Sequence, residues 1–321
     1  MTAAILTTKT RLIIDCDTGT DDAVAIIAAA KHPALELVAV TTVNGNVPLA
    51  NVTENSLRVL DYIGENVPVY VGADRPIVRD DFPIPRHILN GSDSGMHPPY
   101  LDLPAATSVA QDQSAVEFLI EYYSHDENRD TVLVAVGPLT NVGLALAASP
   151  GLAERIPRLV IMGGSRGWGN VTAAAEFNIW VDPEAAEAVF SAGIRDIMLV
   201  PLDATHSAPL TIEHCDRFRA IGTPAAIATD ALVRGRIEAY SQQGETGAPV
   251  HDALCIAYLV HPEVLSDVNE WPVHVETRGE RTMGQTVMDV RDWAGDKPTA
   301  RVALRADAQI FADFLADAFG A

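Results

Sequence analysis

Basic residues are scarce in this chain. Its 22 Lys and Arg face 43 Asp and Glu, a formal charge of −21 over 321 residues. A nucleic-acid partner would call for concentrated cations along a phosphate backbone, so that class of partner is excluded. Cysteine is scarcer still: Cys16, Cys215 and Cys255 are scattered, odd in number and without a C-x-x-C pair. That argues against a disulfide framework or a thiolate zinc cluster and suits a reducing compartment. No apolar run reaches the roughly 20 residues of a membrane span. The opening "MTAAILTTKTRL" has no apolar core of signal-peptide length. The expectation is a soluble, cytoplasmic protein with neither a nucleic-acid nor a membrane partner.

What is present is an ordinary globular share of apolar residues, 48%, set out in a regular alternation. Continuous apolar runs at 11–16, 36–43, 67–71, 131–136, 158–162 and 196–201 read as strands. Alanine- and leucine-rich stretches at helical spacing fall between them, at 21–31, 49–63, 113–124, 140–148 and 183–191. Strands apolar on both faces, alternating with helices, predict an α/β protein: a mainly parallel open sheet flanked by helices, with a Rossmann-like core. Residues 73–110 and 163–178 break the pattern, and loops of that length are commonly functional. From about 211 to 260 the pattern is helical; "WPVHVETRG" and "GQTVMDVR" predict a small antiparallel hairpin, followed by a strand near 299–305 and a helix near 307–319. With no repeat or flexible linker, residues 1–321 read as a single domain.

One stretch carries chemistry. "RLIIDCDTGTDDAVAIIAAA" turns from strand to helix and places Asp15, Asp17, Asp21 and Asp22 within eight residues. Asp15 and Asp17 share one strand face, while Asp21 and Asp22 fall in the first helical turn. Acids at a helix start complement its dipole, a gain of only about 0.3–1 kcal/mol. Two carboxylates at 4 Å repel by about 4 kcal/mol at an effective dielectric near 20. Protonation or a bound cation must settle the difference, and all-oxygen ligands point to a hard ion, Ca²⁺ or Mg²⁺. An aspartate-nucleophile phosphatase also places D-x-D after its first strand, but the hydroxyl residue expected two positions on is here Gly19.

"DCDTGTDDAVA" resembles the D-x-D-x-G-x-D-D-A signature of the calcium-dependent nucleoside hydrolases, the inosine–uridine-preferring ribohydrolase family. Further blocks follow in that family's order over roughly residues 11 to 260: "TTVNGN", "AVGPLTN", "MGG…GN…AEFN" and "VHDALC". The resemblance implies a hydrolase that cleaves the N-glycosidic bond of ribonucleosides to free nucleobase and ribose, and a homodimer or homotetramer. It makes Asp17 the base that activates water, and gives Ca²⁺ the ligands Asp17, Asp22, Asp252 and the Thr140 carbonyl, with Asp15 as support. Asp21, Asn46, Met162, Asn170, Glu176, Phe177 and Asn178 would hold the substrate, and His251 would contact it and serve as an acid.

Each block alone has a plainer reading: a Gly-Asn turn, a helix cap at Thr140 or Asn141, a cap at His251 and Asp252. Asp182-Pro183-Glu184 reads as an N-cap followed by proline at the first helical position. The departure from the family lies in the first irregular loop. Many members carry a histidine there; this chain reads "NGSDSGM", so Asn90 replaces it as a base contact without a titrating proton. His87 and His97 are further candidates for the leaving-group chemistry, although exposed loop histidines are the commoner reading. Trp168, Trp180 and Tyr240 could stack on a base, although such aromatics are usually core or lid. Two alternatives therefore stand beside the main expectation: a hydrolase of a modified nucleoside or other riboside, and a non-catalytic nucleoside- or ribose-binding protein of the same fold.

Overall fold

Among the described residues ten strands form the framework: β1 (Thr10–Cys16), β2 (Leu35–Thr42), β3 (Val69–Val71), β4 (Val132–Ala135), β5 (Leu159–Met162), β6 (Ile197–Val200), β7 (Leu265–Trp271), β8 (Val273–Val275), β9 (Thr286–Met288) and β10 (Ala300–Ala306). The structure is a computed structural model that describes residues 9–79, 96–242, 244–291, 293 and 295–320. Eight strands make one sheet in the order β3-β2-β1-β4-β5-β6-β10-β7. All neighbours pair parallel except β10 with β7. The expected mainly parallel sheet is present, and β8 pairs with β9 as the separate antiparallel hairpin.

β1 alternates between two cores. Leu12, Ile14 and Cys16 face the larger one, shared with the helices Thr20–Lys31, Pro224–Ser241, His251–Val260 and Ala308–Phe319. Ile13 faces the other, shared with the helices Ala115–Ser124, Thr140–Ala148 and Pro183–Ser191. Helices on both faces explain why the parallel strands read as unbroken apolar runs. Asp182 caps the helix Pro183–Ser191 as expected, its Oδ1 accepting from the Ala185 N–H at 3.0 Å.

β7 is the strand the pattern did not predict. It runs antiparallel at the sheet edge with mostly exposed side chains, and Asp267 sits in the left-handed region at φ 51°. A polar, irregular edge resists pairing with another chain, and it also removes the apolar alternation that marks a strand. Among the described residues, no helix is long and apolar enough to cross a membrane.

The topology fixes where a ligand goes. From β1 the sheet extends one way through β2 and β3 and the other way through β4 and β5. That reversal opens a crevice at the carboxyl ends of β1 and β4. Asp17 follows the end of β1 directly, and Val136 follows the end of β4.

Candidate active site

Asp15 is the last-but-one residue of β1, buried between Thr41 of β2 and Ala135 of β4. Its Oδ1 accepts from Thr41 Oγ1 at 2.6 Å and from Asn141 Nδ2 at 2.7 Å, while Oδ2 is buried without a partner. Burial pushes its carboxyl up to about 6, against these two hydrogen bonds. Asn141 also donates to Thr42 O and accepts from the Ala73 N–H. It therefore ties the ends of β1 and β2 to the start of the helix Thr140–Ala148.

Asp17 and Asp22 lock the turn that follows. The Asp17 N–H donates to Asp22 Oδ1 at 3.2 Å, and the Gly19 N–H donates to Asp22 Oδ2 at 2.9 Å. Asn46 joins both acids: its N–H reaches Asp17 Oδ2 at 2.7 Å, and its Nδ2 reaches Asp22 Oδ2 at 3.3 Å. Asp17 Oδ1 is buried with no hydrogen-bond partner. Burial, then the charge of Asp22, drives the Asp17 carboxyl well above its ordinary range. Burial, then Asp21, pushes Asp22 up to about 7. The Asp252 carboxyl is driven well up by burial and by Asp21, Asp22 and Asp17.

Gly45 is required by this packing. A Cβ there would stand 2.0 Å from Asp17 Oδ2 and 2.6 Å from its Cγ. Gly45→Ala is expected to displace Asp17 and lower kcat/KM by about 10²-fold, as ångström-scale misplacement of a reacting group does. Steady-state kinetics beside a thermal melt would check this; unchanged kcat/KM would show that the position of Asp17 is not critical.

Above the acids lies a cavity of about 340 Å³, within the range of small-molecule sites. It is lined by Asp21, Asn46, Val136, Met162, Glu176, Asn178 and Asp252, by Asn170, Phe177, Met96 and His97, and by Trp168, His206, Arg236, Tyr240 and His251. Glu176 caps the short helix Phe177–Val181, its carboxylate accepting from the N–H groups of Gly164 (2.8 Å), Asn178 (2.9 Å) and Ile179 (3.2 Å). Burial outweighs these donors and pushes it up to about 7. Asn178 Nδ2 donates to Val136 O at 2.8 Å and to Met162 O at 3.1 Å, holding the ends of β4 and β5 together. Asn170 Oδ1 accepts from the Phe177 N–H at 3.0 Å. His251 opens its helix, with Nδ1 2.7 Å from Thr205 Oγ1; burial pulls it down to about 3, so it is a neutral imidazole at neutral pH.

Several expected residues fall elsewhere. Thr140 does not line the cavity: it starts a helix, and its Oγ1 donates to Asp182 Oδ2 at 2.7 Å. The same sequence block instead contributes Val136 to the lining. The three carboxylates whose oxygens lie within 4.8 Å of one another are Asp21, Asp22 and Asp252. Asp17 is not among these three; its Oδ2 accepts the Asn46 N–H. His97 is not an exposed loop residue: it lines the cavity, its Nδ1 is buried and unpartnered, and burial pulls it down to about 4. Trp180 packs in a small core with Ala175 and Val181, whereas Trp168 and Tyr240 do border the cavity. Asn90 and His87 lie outside the described residues.

Two lining residues carried no sequence signal, His206 and Arg236. "ALVRGRIEAYS" does not say which arginine points inward. The fold decides it: Arg234 pairs with Asp216 and Asp230 at the surface, while Arg236 is 1% exposed and bound to Asp21 Oδ1 at 3.0 Å.

A mainly parallel sheet whose switch point gathers buried carboxylates beside a polar cavity is the arrangement of an α/β enzyme site. More narrowly, residues 12–313 match the inosine-uridine preferring nucleoside hydrolase family, and the chain belongs to it. The pyrimidine-specific ribonucleoside hydrolase RihA of Escherichia coli O1:K1 / APEC is 41% identical over 309 residues, 95% of this chain and 97% of that protein. A purine-preferring ribonucleoside hydrolase from Gardnerella vaginalis superposes with a TM-score of 0.86 at 30% identity, covering 97% of this chain and 98% of its own. The inosine-uridine preferring nucleoside hydrolase from Bacillus anthracis gives a TM-score of 0.75 at 25% identity, covering 97% and 99%. The protein is a nucleoside N-ribohydrolase.

Proposed function

We propose that this hydrolase cleaves ribonucleosides by adding water to C1′ of the ribose, with Asp17 as the general base and Ca²⁺ as the cofactor. The observation that carries the reading is the buried, unpartnered Asp17 Oδ1 beside Asp22, in a carboxylate cluster where Asp17, Asp22 and Asp252 are raised towards protonation and Asp21, paired with Arg236, is lowered. Such a cluster fits a hard cation, since oxygen ligands and a surplus of negative charge are what Ca²⁺ takes. Asp22 and Asp252 would hold it with Asp17 adjoining, and the Val136 backbone replaces Thr140 in that set. A bound divalent cation lowers the pKa of water and so supplies a nucleophile near neutral pH.

The chain's own residues do the rest. Asp17 takes the proton of the attacking water. Asp21, Asn46, Glu176 and Asn178 face the cavity as acceptors and donors for the ribose hydroxyls, and Met162 packs beside them. The negative charge of Asp21 favours the oxocarbenium-like sugar of the transition state. Sites that pair sugar hydroxyls reject analogues lacking one, since buried polar groups are then left unpaired. Neutral His251 donates or accepts at the substrate without carrying a charge.

The similarity to a pyrimidine-specific relative makes uridine and cytidine the first substrates to test. Incubation with a panel of common and modified ribonucleosides should release free ribose from at least one of these two. Their 2′-deoxy forms should react slower by about 10⁴-fold. Thermal stabilisation by ribonucleosides with no ribose released from any would refute turnover.

A further inference from the structure

We propose that Arg236 stabilises the departing nucleobase as an anion, its guanidinium donating to a ring carbonyl oxygen beside the glycosidic nitrogen. The inference rests on the ribonucleoside reading above and names the class of base that leaves.

Arg236 is buried, lines the cavity and is held through Nε and Nη1. Nε donates to Pro249 O at 3.0 Å, and Nη1 donates to Thr20 Oγ1 at 2.9 Å and to Asp21 Oδ1 at 3.0 Å. Among the described residues Nη2 has no hydrogen-bond partner, and Arg236 lines the cavity. Arg236 is also the one Lys or Arg among the described lining residues.

Its position assigns the charge to the base. Arg236 and Tyr240 lie four residues apart on one helix and so share a face. The Tyr240 ring is 6.4 Å from His206, which lies 5.1 Å from Trp168 and 5.4 Å from His251. These rings border the cavity that the oxygen-bearing side chains also line, and Arg236 links the two sets through its bond to Asp21. A cation buried beside a sugar that is gaining positive charge opposes the reaction unless negative charge grows nearby. A buried ion pair alone is often no better than apolar packing. The leaving base provides that negative charge.

The step balances. The C1′–N bond breaks with its electron pair kept by nitrogen, water oxygen bonds to C1′, and the water proton passes to the Asp17 carboxylate. The base leaves as an anion held by the Nη2 N–H and takes a proton from solvent, and Asp17 returns its proton to solvent. Ribonucleosides whose free bases are N–H acids with an adjacent carbonyl, as in uridine, are the favoured class.

Arg236→Gln keeps a donor towards Asp21 and removes the charge. Its kcat/KM for uridine should fall about 10²–10³-fold, as for loss of one preorganised donor to a developing anion. For p-nitrophenyl riboside, whose leaving group needs no help, the fall should stay under about fivefold. Equal losses on both substrates would show that Arg236 acts only by positioning Asp21, and would overturn the proposal. Binding of 5-nitrouracil, an anion at neutral pH, gives a readout independent of turnover. By calorimetry the wild type should bind it at least about tenfold more tightly than Arg236→Gln, with part of the affinity restored in Arg236→Lys. Equal binding by all three overturns the proposal even if ribosides are cleaved. If wild type cleaves neither riboside, the hydrolase reading fails, and this binding comparison still decides Arg236.

Discussion

Asp17→Asn is expected to lower kcat by about 10²–10⁴-fold, the range for loss of a general base, with the fold intact. The exchange is close to isosteric. An amide oxygen can still accept the Asn46 N–H that Asp17 Oδ2 takes at 2.7 Å, and the turn through Gly45 is undisturbed. What disappears is a carboxylate that burial and Asp22 already push towards its neutral form. In metal-free protein the variant should therefore melt no lower than wild type, because one member of a mutually repelling cluster has gone. Single-turnover ribose release and a thermal melt measure both effects. A variant with wild-type kcat would remove Asp17 from the role of base.

The second large effect concerns calcium and pH together. Chelation should stop ribose release, and readdition of Ca²⁺ should restore it. At a calcium concentration about a hundredfold above Kd, binding to the folded state alone adds about 2.7 kcal/mol. The sign of the pH dependence follows from the carboxylates. Asp22 rises from 3.8 to about 7 in the folded protein, and Asp17 and Asp252 are raised as well. Groups raised by folding stabilise fully below their unfolded pKa, and that stability is lost as pH rises through the folded pKa. Metal-free protein should thus lose stability between about pH 4 and pH 7 on account of this cluster. Ca²⁺ binds the ionised form, so its stabilising shift in Tm should be larger at pH 8 than at pH 5. Melts with and without calcium across that range are the check. A shift independent of pH would mean that these carboxylates do not hold the ion.

Much of the fold was legible because local chemistry and tertiary packing agree along β1 to β6. Apolar runs buried on both faces leave no second reading, and helices such as Leu49–Ile63 and Pro183–Ser191 fall where their spacing predicted. β7 was missed for the opposite reason: its outward polar side chains carry edge protection rather than core. The acids of the site were legible since four aspartates at one strand–helix turn are electrostatically untenable without a further partner.

The sequence by itself determined the α/β class, the carboxylate cluster and its demand for positive charge, because these depend on residues near one another in the chain. Only the tertiary structure decided which distant groups meet that cluster. It brought Asn46 onto both Asp17 and Asp22, set Val136 rather than Thr140 in the cavity lining, drew His97 inward and buried Arg236 against Asp21. Those choices depend on strand order and on which face of a helix turns to the sheet. Both are settled by packing between segments more than two hundred residues apart, as Arg236 and Asp21 are at a separation of 215.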